Sequence, residues 1–144
     1  MKQFTLKATL SMLSPAMLLG AFLLLHPSAT AAQDQDVKVI EMSAKKYEFS
    51  GSPLHIKKGT KVQLKVTSTD REHGVKLSVI ADGAPSNSAP GLIVTSLQEC
   101  VKVKKGETQT IEFVARTPGT YSFKCCVDCG IGHHHMKGQI IVDE

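Results

Sequence analysis

Beyond residue 36 the chain alternates apolar and polar residues with a period of two, and no stretch sustains the 3.6-residue period of an amphipathic helix. Residues 37–42, 61–67 (KVQLKVT), 75–79, 101–103, 110–114, 121–125 and 139–142 carry this pattern and are rich in Val, Ile, Thr and Phe. Lys58-Gly59-Thr60, Lys105-Gly106-Glu107 and Pro118-Gly119-Thr120 punctuate it as turns. About seven or eight short strands at this spacing predict an all-β fold, a sandwich with Greek-key connections. Residues 81–96 break the rhythm with Gly83, Pro85, Ser86, Asn87, Ser88, Pro90 and Gly91. They read as a long surface loop ending in a short apolar piece at residues 92–94.

The first 32 residues have a different character. Lys2 and Lys7 precede an uncharged apolar run, PAMLLGAFLLL, and then Pro27, Ser28 and the small residues Ala29-Thr30-Ala31-Ala32. That order is the pattern of a secretory signal peptide, with cleavage after Ala31 or Ala32. The competing expectation is an uncleaved N-terminal anchor, because the run extends back to Ala8 and then reaches the lower limit for a membrane span. Thr9, Ser11, Ser14 and Pro15 weaken that half, so the cleaved signal is favoured. Either way residues 33–144 are expected on the extracytoplasmic side, in a periplasm-like compartment. Membrane contact is expected only if the segment is retained. The net charge of +4 is modest and there is no basic-aromatic interleaving, which argues against a nucleic-acid partner.

The chemistry is concentrated between the last two predicted strands, in Cys125-Cys126-Val127-Asp128-Cys129-Gly130-Ile131-Gly132-His133-His134-His135-Met136. Thiolate, imidazole and thioether donors together favour copper over hard cations. A structural zinc site would take four Cys or His ligands and rarely a thioether. A single blue copper needs one Cys, two His and a distant Met, which Cys129, His133, His73 and Met136 could supply. Cys125 adds a second thiolate four residues before Cys129. Two such sulfurs can bridge two copper ions, each ion then taking one histidine. Bridged metals share one unpaired electron, so reduction changes the geometry little.

The order Cys-x3-Cys-x3-His-x2-Met, carried by Cys125, Cys129, His133 and Met136, resembles the purple copper (CuA) loop of cytochrome c oxidase subunit II. The Cys-Gly-Ile-Gly-His stretch is especially similar to the single-anchor subunits of bacterial and archaeal haem-copper oxidases. That family places a further histidine at the start of a strand after a Thr-Ser/Asp segment, and Thr67-Ser68-Thr69-Asp70-Arg71-Glu72-His73 fits the position. Tyr47-Glu48-Phe49 through Lys58-Gly59 also looks like the family's early strands. The resemblance implies a cupredoxin-like sandwich over residues 33–144. It implies one copper held by His73 and weakly by Met136, a second by His133 and the backbone carbonyl of Val127, and both bridged by Cys125 and Cys129. It further implies single-electron transfer without catalysis by the domain itself, and a redox partner such as a cytochrome c or a haem-copper oxidase subunit.

Blander readings compete at several positions. Four cysteines in an exported domain can form two disulfides. The His and Met residues at matching spacing argue against that for Cys125 and Cys129. Strand alternation turns Cys126 away from Cys125, so a Cys100–Cys126 disulfide and two buried free thiols are both open. His134 and His135 are expected as exposed loop residues. His55 is expected on the surface or in a structural role, and Tyr121 and Phe123 as packing beneath the loop. Asp128 and Glu72 are candidates to hydrogen-bond the ligands. Two other functions remain: a copper carrier that hands its metal to an oxidase, and a disulfide-stapled binding module without metal.

Overall fold

The computed structural model describes residues 36–95 and 98–144; the leader expected over residues 1–32 lies outside the described residues. Ten strands follow in order: β1 (Val37–Lys45), β2 (Glu48–Phe49), β3 (Leu54–Lys57), β4 (Lys61–Ser68), β5 (His73–Leu77), β6 (Leu92–Val94), β7 (Val101–Val103), β8 (Thr108–Ala115), β9 (Gly119–Lys124) and β10 (Lys137–Asp143). They form two five-stranded sheets, ordered β2-β1-β4-β8-β6 and β3-β10-β9-β5-β7. The chain changes sheet repeatedly, as a Greek-key sandwich requires.

The period of two decides what the sheets bury. Along β4 the pattern alternates strictly, so Val62, Leu64 and Val66 face inward and Lys61 faces water. On β9 the inward residues are Tyr121 and Phe123, each about 1 % exposed, and the Phe123 ring meets Phe49 edge-on at 5.2 Å. Tyr121 also donates its hydroxyl to the Thr117 carbonyl at 2.7 Å, pinning the β8–β9 corner. Among the described residues no helix is long and apolar enough to cross a membrane.

Two of the predicted boundaries move. The strand expected at residues 75–79 runs from His73 to Leu77 instead. His73 joins it by pairing with Val103 of β7, while the Val79 carbonyl leaves the sheet to accept from the Gly91 and Leu92 amides. The apolar piece at residues 92–94 is a true strand, β6, paired with β8. The two-residue β2 is too short to show a period, and β3 is short and follows Pro53; neither is among the seven predicted runs.

Register determines what reaches the end of the sandwich. β5 pairs antiparallel with β9, Lys76 opposite Lys124 and Leu77 opposite Phe123. Continuing that register brings His73 alongside the residues that follow β9. β10 returns antiparallel with Lys137 opposite Lys124, so the 125–136 segment leaves and re-enters the same sheet end.

Candidate metal centre

The loop is closed at its base by the Cys125 amide, which donates to the Met136 carbonyl at 2.9 Å. Asp128 accepts from the Gly130 amide at 3.1 Å, and bonds from His133 to Gly130, His135 to Gly132 and Met136 to His133 wind the rest into a short 3-10 turn, His133–His135. The side chain of the half-buried Tyr47 packs against Gly132. These local bonds hold the donors with little freedom.

The side chains of His73, Cys125 and Cys129 converge, their donor atoms all within 4.8 Å of one another and all buried. The two sulfurs of Cys125 and Cys129 lie 3.7 Å apart, and both residues are free thiols. Met136, fully buried, brings its Sδ to 3.8 Å from Cys129 Sγ. The Cys125 thiol points at the Val127 carbonyl oxygen, 3.3 Å away. His133 is not part of the close triad, but its Nδ1 is buried.

The polar partners of the histidines are the decisive detail. His73 Nε2 hydrogen-bonds Asp70 Oδ1 at 2.7 Å. Burial alone would raise the Asp70 pKa; the bonds from His73 and from the Lys46 and Arg71 amides outweigh it and hold the carboxyl below its ordinary value. An ionised carboxylate can only accept, so Nε2 carries the proton and Nδ1 keeps its lone pair. That Nδ1 is buried with no hydrogen-bond partner, as is Nδ1 of His133. Buried polar atoms are rarely left unmatched. The orphaned Nδ1 of His73, a residue that converges with both thiols, and the orphaned Nδ1 of His133 on the same loop as Cys129 are donors of the kind a soft metal takes, so the residues fit copper.

Burial pushes the Cys129 thiol up to about 11; the neighbouring Cys125 adds to the rise, while the Arg71 charge opposes it. Arg71 also donates from Nη1 to the Cys129 carbonyl at 2.8 Å, tying the β4–β5 connection to the loop. Ser68 donates to the Arg71 carbonyl and steadies the same connection.

The ligand-supporting contacts expected of Asp128 and Glu72 fall to other residues. Asp128 instead bends its own loop, and Glu72 is exposed. The support comes from Asp70 and Arg71, both within the segment already singled out; Asp70 lies three residues before the histidine and shares its connection. Cys100 and Cys126 form a disulfide with their Cα atoms 6.0 Å apart, which resolves the two open readings. Cys126 is turned away from Cys125, as alternation requires. His134 and His135 are exposed, as is His55.

The sandwich and this donor set define a copper domain of the electron-transfer class. The family description "Cupredoxin-like domain" matches residues 15–142, and the chain belongs to that family. It is similar to cytochrome c oxidase subunit 2 of Thermus thermophilus, 29 % identical over 98 residues that cover 68 % of this chain and 60 % of the relative. A second Thermus thermophilus subunit 2 matches at the same identity over 48 % of its length, so the chain spans about half to three-fifths of these relatives. Among solved structures, a heme-copper terminal oxidase dimer superposes with a TM-score of 0.52 at 28 % identity, over 74 % of this chain and 65 % of the other. Auracyanin B superposes equally well, TM-score 0.52, over 74 % of this chain and 89 % of its own; at 20 % identity that likeness concerns the fold.

Proposed function

We propose that residues 33–144 are an exported electron-transfer domain whose loop and β5 hold two copper ions in a CuA-like centre. The observation that carries this reading is the pair of thiol sulfurs 3.7 Å apart and outside any disulfide, converging with His73, while the loop holds a second histidine, His133, whose buried Nδ1 also lacks a partner. A mononuclear site would use one of those sulfurs and leave the other a buried, idle thiol. In the proposed arrangement Cys125 and Cys129 would serve both ions, His73 Nδ1 and Met136 would help hold one, and His133 Nδ1 and the Val127 carbonyl the other.

When bound, the copper pair would supply one-electron redox chemistry. The chain's own residues do the rest. Asp70 fixes the His73 tautomer, and Arg71 holds the Cys129 backbone. Phe49, Tyr121 and Phe123 are buried in the core of the sandwich, whose close packing resists deformation. The similarity to oxidase subunit 2 supports a haem-copper oxidase subunit or a cytochrome as the redox partner. The leader pattern of residues 1–32 supports an extracytoplasmic location.

The test is an electron paramagnetic resonance spectrum of the copper-loaded chain. One electron shared by two equivalent nuclei of spin three-halves gives a seven-line pattern; a single copper gives four. Cys125→Ser is expected to convert seven lines to four. A four-line spectrum from the unmutated, fully loaded chain would refute the dinuclear reading and leave a blue copper protein. A second reading, a copper carrier, is favoured by the exposed His134 and His135 beside the site. It requires that a competing chelator strip the metal readily, whereas an electron carrier keeps it through redox cycling.

A further inference from the structure

The outer face of the β3-β10-β9-β5-β7 sheet carries a row of lysines that the fold does not need. Lys76 lies directly opposite Lys124, and Lys124 directly opposite Lys137, on three adjacent strands. All three are exposed. Like charges placed directly opposite on one sheet face repel and destabilise it. Lysines on edge strands are explained as protection against pairing with other chains. That explanation fails here, because β5, β9 and β10 are all interior strands of their sheet. Relief within the molecule is slight. Lys76 pairs with Glu99 at 3.1 Å across exposed side chains, a kind of pair worth little. Among the described residues the ion pairs include no partner for Lys124 or Lys137. Asp82, further along this face, is engaged by the Ser122 hydroxyl.

The row is placed against the metal centre. Lys124 immediately precedes Cys125, and Lys137 immediately follows Met136. Above the row lies the Cys100–Cys126 disulfide, which covers Gly74: a Cβ there would fall 2.7 Å from Cys126 Sγ and 3.0 Å from Cys100 Sγ. Two residues along from Gly74, Cys126 and Cys100 stand Lys76, Lys124 and Lys102, on the same face by strand alternation and all exposed. An apolar disulfide framed by four lysines has the anatomy of a small interface, with a dry centre and a charged rim.

We propose that this face, formed by the Cys100–Cys126 disulfide with Lys76, Lys102, Lys124 and Lys137, docks a redox partner protein through a carboxylate-rich surface on that partner. The proposal rests on the electron-transfer reading for the partner being a redox protein; the charge complementarity itself does not depend on bound metal. Docking there sets the partner one residue of backbone from Cys125 and from Met136. Complementary charge at such a rim acts mainly on association rate and makes binding salt-dependent.

The test uses the full chain, metal-free and copper-loaded, with poly-L-glutamate as the acidic probe and phosphatidylglycerol vesicles as the anionic-lipid probe. At low ionic strength poly-L-glutamate is expected to bind and to be released by added salt. Lys124→Glu with Lys137→Glu should weaken it about tenfold or more. Lys57→Glu with Lys61→Glu, the same charge change at the far end of the sandwich, should change it by less than about twofold. If the first pair fails to fold by circular dichroism, Lys124→Gln with Lys137→Gln gives the same comparison with a smaller expected loss of about threefold. Equal weakening by both pairs, no binding of poly-L-glutamate, or row-dependent binding to the vesicles alone would overturn the proposal. The two readings fail separately. Row-dependent binding by a chain whose copper shows no reversible one-electron step removes the electron-transfer reading and keeps the surface. The expected paramagnetic spectrum without row dependence removes only the surface.

Discussion

Asp70 Oδ1 accepts a 2.7 Å hydrogen bond from Nε2 of His73 and thereby leaves Nδ1, on the other side of the ring, as the free donor. Removing such a partner typically costs about 10–100-fold in metal affinity. Asp70→Ala is therefore expected to weaken copper binding by that order in a chelator competition. Asp70→Asn keeps an acceptor and should recover most of the loss. Unchanged affinity in the alanine variant would mean that Asp70 does not position His73.

Thiol accounting separates the cysteines. Cys125 and Cys129 are about 3 % and 2 % exposed. In the metal-free folded chain both should resist iodoacetamide; after denaturation without reductant both should be alkylated, and the Cys100 and Cys126 peptides should stay joined in mass spectrometry. Alkylation of all four would remove the disulfide.

That disulfide joins residues 26 apart in sequence. The chain-entropy account of a loop this size gives about 3.5 kcal/mol of stabilisation. Cys100→Ala with Cys126→Ala should lower unfolding free energy in urea by roughly 3 kcal/mol. The transition slope should also steepen, since the unfolded chain becomes less compact. A loss below about 1 kcal/mol would mean that the loop is held by its other bonds.

Tyr121 gives a pH-dependent test. Burial pushes its phenol above the ordinary value of 10.0. The folded state therefore keeps the proton while the unfolded chain loses it, so stability falls as pH rises above about 10. Tyr121→Phe should cost about 1 kcal/mol at neutral pH, because the Thr117 carbonyl loses its donor, and should flatten the alkaline decline. Gly91→Ala should be worse, about 1–3 kcal/mol, since the new methyl would strike the Tyr121 hydroxyl. Thermal melts across the alkaline range check both.

The long strands and the donor loop were legible because their signals are local. A period of two survives over eight residues of β4, and the spacing of Cys125, Cys129, His133 and Met136 needs no knowledge of what lies opposite. Residue type alone made His73 one possible ligand, and the family resemblance gave it a definite place; 52 residues separate it from Cys125 and the β5–β9 register brings them together. Asp70 and Arg71 were missed because exposed-looking charges in a connection carry no pattern; their roles appear once Nε2 of His73 and the Cys129 carbonyl are in place. The Cys100–Cys126 bond was undecidable for a related reason: the distance between their Cα atoms is set by β7 pairing with β5, a contact between segments far apart in the chain.

The division of the donors between β5 and the β9–β10 loop has a thermodynamic consequence. Neither segment offers a complete site, so a metal that needs both binds the closed sandwich and not the open chain. Folding and metal uptake are then linked equilibria. Each tenfold excess of free metal over its dissociation constant adds about 1.4 kcal/mol to the folding free energy. The melting temperature of this chain is accordingly a metal titration read on a thermal axis, and it reports assembly of the centre before any electron has moved.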